Sequence, residues 1–198
     1  MCGRFANAES IPATAVRWSA ALADGLADWS PSDDIRPTQR VPVLLEGPAD
    51  RPRRLGLMVW GWARDFAASG NLINARAEEM VSKKTFTEAV QRRRCLIPAT
   101  SWFEWQANPS NPKAKMTKFR LAPSLDGPWS LAGLWEPIPG QKAAALVVIT
   151  VAADPSVQAV HSRMPGIVGL DAASAWLAGP VEAALALLRP VPSTASLA

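Results

Sequence analysis

The stretch Ala144–Val151 constrains this chain more than any other part of it. It reads Ala-Ala-Leu-Val-Val-Ile-Thr-Val, apolar but for one hydroxyl. A run of this kind, rich in β-branched residues, predicts a central strand buried on both faces. Extended to Ala143–Ala153 it is still far short of the roughly 18 apolar residues a membrane-spanning helix requires. The 18 prolines among 198 residues favour short strands and shaped loops over long helices.

Further strands are expected at Arg40–Leu45, Arg53–Trp62, Cys95–Pro98, Trp102–Trp105, Met116–Leu121 and Leu131–Trp135, with Asn71–Arg76 a short extended segment. Ser10 before Ile11-Pro12 reads as an N-cap with proline in the first turn, opening a helix through about Leu22. Thr85-x-x-Glu88 has capping-box spacing, and its helix would turn Phe86, Ala89 and Val90 inward. Short helices are expected from Asp154-Pro155 to about Val160, over Asp171–Leu177 and over Pro180–Leu188. There is no strand–helix–strand repetition and no glycine-rich phosphate loop. The fold class is therefore α+β: one strand-rich domain over residues 1–189, with a small-residue tail, 190–198, expected to fray.

Several function classes drop out. Two cysteines, Cys2 and Cys95, close at most one bridge, so a disulfide framework is excluded. One histidine and two distant cysteines cannot close a zinc tetrahedron, and no carboxylate cluster resembles a calcium loop; neither metal nor cofactor is expected. Arg4 and Glu9 interrupt the amino-terminal segment before any signal-peptide core develops, so the chain reads as cytoplasmic. The formal charge is +4, with basic residues grouped at 51–54, 83–84, 92–94 and 113–120, beside nine tryptophans and no tyrosine. Basic groups with flat aromatic faces suit single-stranded nucleic acid, although many proteins of this composition never meet DNA.

The residues able to do chemistry are few. Removal of the initiator methionine would leave Cys2 with a thiol and an α-amine on adjacent carbons. An α-amine titrates near 7.7–8.0, so about half or less is neutral and nucleophilic at physiological pH. Amine and thiol can attack one aldehyde carbon in turn, giving a Schiff base and then a five-membered thiazolidine. His161 follows a short predicted helix and can move protons at neutral pH. On a strand, Glu104 shares a face with Trp102, where desolvation would raise its pKa. Asn74 and Arg76, also co-facial, pair an amide suited to a hydroxyl with a guanidinium suited to a phosphate. These residues equally fit a cysteine peptidase using Cys2 and His161, or a noncatalytic single-strand-binding module.

In order, the motifs are Met1-Cys2-Gly3-Arg4-Phe5, Trp60-Gly61, Asn74-Ala75-Arg76-Ala77-Glu78, Arg94-Cys95-Leu96-Ile97-Pro98-Ala99 running into Trp102-Phe103-Glu104-Trp105, and His161-Ser162-Arg163-Met164-Pro165. This series resembles the SOS-response-associated peptidase (SRAP) family from Met1 to about Leu177. The resemblance implies a barrel-like mixed β core with short peripheral helices. It implies autocatalytic loss of Met1 and a thiazolidine crosslink from Cys2 to abasic sites in single-stranded DNA, at junctions with duplex, by a monomer. Asn74 would orient the amine and sugar, Glu104 would move protons, and His161 would assist ring opening and crosslink reversal, a lyase-type step. Arg4, Arg76 and Arg163, with Pro37, Trp60 and Trp62, would contact DNA. One departure stands out: Asp34, in Asp34-Ile35-Arg36-Pro37, replaces an asparagine common in the family and sets a negative charge beside the expected DNA.

Overall fold

The computed structural model describes residues 2–26, 29–48, 51–64, 67, 70–108, 110–111 and 113–198. Met1, expected from the sequence to be removed, lies outside them. The strands are Phe5–Asn7 (β1), Ala20–Leu22 (β2), Ser32–Ile35 (β3), Arg40–Leu45 (β4), Arg53–Trp60 (β5), Trp62–Ala63 (β6), Asn71–Leu72 (β7) and Asn74–Arg76 (β8). They continue with Arg94–Pro98 (β9), Ser101–Gln106 (β10), Thr117–Pro123 (β11), Trp129–Pro137 (β12), Ala144–Ala152 (β13), Arg163–Pro165 (β14), Ile167–Gly169 (β15) and Ser193–Leu197 (β16). Helices are Ile11–Arg17 (α1), Lys84–Arg92 (α2), Ala173–Ala178 (α3) and Val181–Ala186 (α4).

The fold is α+β and strand-rich, as expected. Strands β13, β12, β9, β4 and β5 pair antiparallel in that order, and a parallel pairing of β5 with β13 closes the ring. Alternation along β13 then serves both sides of this barrel. Leu146 and Val148 pack with Val41, Val43, Met58, Cys95, Ile97 and Leu131, whereas Ala145, Val147 and Ile149 pack with Leu44, Leu55, Leu96 and residues of the helices. Helices can lie only outside a closed ring, so the first group fills its interior. A Cβ on Gly133 would come within 2.6 Å of Ile97 Cδ1 and 2.9 Å of Cys95 Sγ, which is why β12 carries a glycine there. A second, antiparallel sheet runs β16-β11-β10-β1-β3.

Local differences from the sequence expectation have physical causes. The first helix stops at Arg17, because Ala20–Leu22 pair parallel with Arg53–Leu55 on β5. The expected Arg53–Trp62 strand breaks at Gly61, whose φ of 128° only glycine adopts readily. That kink sends Trp60 into the interior and Trp62 to the helix side. Helix α2 begins at Lys84, and Thr85 lies inside it rather than capping it. Residues 155–160 form turns, not a helix, because the chain must return for β14 to pair with β13. Instead of fraying, Ser193–Leu197 of the tail pair with β11.

Arg94 shows how the helices are fastened to the barrel. It is buried, and its guanidinium donates to the carbonyls of Val90, Trp176 and Gly179 at the carboxyl ends of α2 and α3. Helix C-termini carry unpaired carbonyls and partial negative charge, so one cation satisfies two of them. Arg94→Met is expected to cost about 3 kcal/mol by stranding these buried acceptors, read as a lower denaturant midpoint at unchanged slope.

Candidate active site

Two sheets converge on the start of the chain. β1 lies between β10 and β3, with Phe5 opposite Trp102. Phe103 N–H donates to the Arg4 carbonyl at 2.9 Å, so Cys2 is held just ahead of a fixed strand. β8 pairs parallel with β13, Asn74 beside Val148, and Asn74 Nδ2 donates to the Cys2 carbonyl at 3.0 Å. Among the described residues Asn74 Oδ1 is buried without a hydrogen-bond partner, an acceptor left over at the site.

Cys2 is fully buried and not disulfide-bonded. Burial pushes its thiol pKa up, and the nearby Glu104 carboxylate pushes it further; a thiolate is disfavoured here. Glu104 is 3% exposed, on the same β10 face as Trp102. Desolvation raises its pKa to about 7, against the opposing pull of the amino-terminal charge.

His161 ends the turn between β13 and β14. Gln106 Nε2, from the strand that carries Glu104, donates to Ala159 O at 2.7 Å and ties that turn to β10. Arg163 N–H donates to His161 Nδ1 at 2.9 Å, which leaves the proton of the neutral ring on Nε2. The Arg163 carbonyl, 3.1 Å from Nδ1, can accept from the protonated ring. Desolvation lowers the His161 pKa, so the neutral form prevails at pH 7.

The arginines fare differently from the tryptophans. Arg4 lies over the Trp105 ring at 5.2 Å and meets Asp34 at 3.0 Å. Arg76 pairs with Glu79 at 3.0 Å. Arg163 pairs with Glu78 and also donates to Thr150 O at 2.6 Å. Trp60 and Trp62 do not present faces to DNA. Both are fully buried, with their indole N–H groups donating to Ile73 O and Ala145 O at 3.0 Å, and they act as core. Pro37 is half-buried in the turn before β4, next to the Asp34–Arg36 pair. Cys95 is buried on β9 within the barrel, its thiol raised by burial. Glu79 meets Arg76 and Lys83 at local i,i+3 and i,i+4 spacings, but no local spacing links Glu78 to a residue 85 positions away.

Comparison with known proteins agrees with this fold. A protein from Bacteroides thetaiotaomicron superposes with a TM-score of 0.81 at 18% identity, covering 99% of this chain and 91% of that one. The abasic site processing protein YoaM of Bacillus subtilis is 28% identical over 184 residues, 89% of this chain and 79% of that protein. The abasic site processing protein YedK of Escherichia coli is 28% identical over 186 residues, again 89% and 79%. The model of the family described as SOS response associated peptidase (SRAP) matches residues 1–197, nearly the whole sequence. By that match over nearly its whole length, this chain belongs to the SRAP family.

Proposed function

We propose that this protein captures abasic sites in single-stranded DNA as a thiazolidine crosslink through Cys2, once Met1 has been removed. The abasic-site processing of its relatives supports the substrate class. The observation that carries the chemistry is Cys2 held by Asn74 beside a buried Glu104 whose pKa stands near 7. The free amine attacks C1′ of the ring-opened deoxyribose, forming a C–N bond. Protonated Glu104 gives its proton to the leaving hydroxyl, which departs as water. The resulting carboxylate takes the proton of the thiol as sulfur adds to the imine carbon, closing the ring. One aldehyde and one aminothiol become one thiazolidine and one water, with no oxidation or reduction.

A neutral, buried thiol suits this order, amine first and sulfur second. It does not suit a cysteine peptidase turning over other substrates, which needs a thiolate and imidazolium together. Neutral His161, with its proton on Nε2, assists opening of the sugar hemiacetal by donating a hydrogen bond from Nε2–H to the ring oxygen. Protein of confirmed Met1-free mass, mixed with an oligonucleotide bearing one abasic site, is expected to give an adduct of protein plus DNA minus water. It should survive heating in SDS and gain no hydrogen from borohydride, because a thiazolidine has no C=N bond. An adduct seen only after reduction, or none, defeats the proposal.

A further inference from the structure

Each of three site residues is followed two positions later by an arginine: Cys2 by Arg4, Asn74 by Arg76, His161 by Arg163. Each of these arginines is already engaged by a carboxylate. Asp34 takes Arg4 at 3.0 Å through Oδ1 and Arg36 at 2.5 Å through Oδ2. Glu79 takes Arg76 at 3.0 Å and also Lys83. Glu78 takes Arg163 with both oxygens, one at 3.0 Å. We propose that Asp34, Glu78 and Glu79 are selectivity residues, each occupying the cation that a DNA phosphate would need, so that undamaged DNA gains little by binding. The inference rests on the crosslinking function proposed above and assigns these carboxylates a role within it.

A phosphate arriving at Arg4 must displace Asp34, exchanging one anionic partner for another. The freed carboxylate then draws in a solvent cation, offsetting the counterion that the phosphate released. Binding through phosphates alone is weakened, and its salt dependence is flattened. An abasic site loses the same phosphate contacts but adds covalent capture, so the penalty falls selectively on DNA without a lesion. The geometry suits a displaceable guard. Asp34 is 43% exposed and Glu78 54%, so these are pairs of modest strength that a phosphate can replace. Hydrogen bonding from Arg36, with Arg4 and Lys118 nearby, holds Asp34 ionised, and Arg163 does so for Glu78.

The test is affinity for an undamaged single-stranded oligonucleotide, read by fluorescence anisotropy across a salt series. Asp34→Asn is expected to bind about fivefold tighter than the parent, with a log–log salt slope steeper by about 0.7, one more net phosphate contact. Glu78→Gln should behave alike, and the triple variant with Glu79→Gln should add to both. Glu182→Gln on α4 makes the same charge change on an exposed carboxylate of another element, and should shift affinity less than twofold. Tightening equal in Asp34→Asn, Glu78→Gln and Glu182→Gln would reduce the effect to net charge and overturn the proposal, as would no tightening. Should Asp34→Asn lower the melting temperature, Asp34→Ser serves in its place. The measurement needs no crosslink. A parent that forms no adduct with abasic DNA defeats the proposed function, whereas a crosslinking parent with unaltered carboxylate variants defeats only this inference.

Discussion

Cys2→Ala protein, freed of Met1, is expected to form no heat-stable adduct with abasic DNA, a loss of more than a hundredfold against the parent. The variant keeps the α-amine and so can still form an imine, but it has no sulfur to close the ring. Cys2→Ser separates the two steps further. Its hydroxyl is a poorer nucleophile, so the adduct should dissociate on heating and gain two hydrogens under borohydride, in contrast to the parent. Intact-mass measurement before and after reduction reads all three proteins in one experiment. A Cys2→Ala adduct that survives heat unreduced would remove sulfur from the mechanism. The substitution also empties little space, since Cys2 is a small residue in a cluster anchored by Phe5, Trp60 and Trp102. Loss of the adduct without loss of thermal stability is therefore the expected pattern.

Glu104→Gln should slow adduct formation about a hundredfold, the usual worth of a positioned acid–base group. It should also change the pH profile. In the proposed mechanism dehydration uses protonated Glu104, so the parent rate should fall as pH rises through about 7; in the variant that falling limb should disappear. The rising limb from deprotonation of the amine remains in both. The substitution moves stability the opposite way from rate. Because its folded pKa of about 7 exceeds the unfolded value, Glu104 binds more protons in the folded state between the two. Stability of the parent thus declines as pH climbs from about 4.5 to 7 and stays lowered above that. Glu104→Gln removes the penalty, so at pH 8 the variant is expected to be more stable by about 2 kcal/mol, with the gain vanishing toward pH 4. Slower chemistry in a more stable protein would identify Glu104 as a group retained for reaction at a cost in folding. A variant equally fast and no more stable would refute both halves.

The sequence carried the strand content because hydrophobic alternation is local. Ala144–Val151 could be read as buried on both faces from its composition, and β13 does supply both sides of the barrel. Closure of the ring was legible only through the family resemblance, since the β5–β13 pairing joins segments some 85 residues apart. Elements failed where a tertiary partner overrode local preference: Ala20–Leu22 left a helix for an edge of β5, and the small-residue tail found β11. Cys2, Asn74 and Glu104 could be named from residue chemistry and motif order. Their coming together was legible only through the resemblance, because 72 residues separate Asn74 from the carbonyl it holds. Trp60 and Trp62 misled for a related reason. Indoles near a basic protein's candidate site suggest stacking, but the kink at Gly61 turns each into a different core.

The pairing of β1 on both edges also bears on what happens when something tugs. If DNA is joined at Cys2, tension along the strand enters the protein through residues 2–4 and then through Phe5–Asn7. That segment is an interior strand, bonded to β10 on one side and to β3 on the other. A motor travelling along the damaged template would therefore have to shear two ladders at once before the polypeptide began to unravel, and the anchorage would be mechanically strongest at the end where the lesion is fastened.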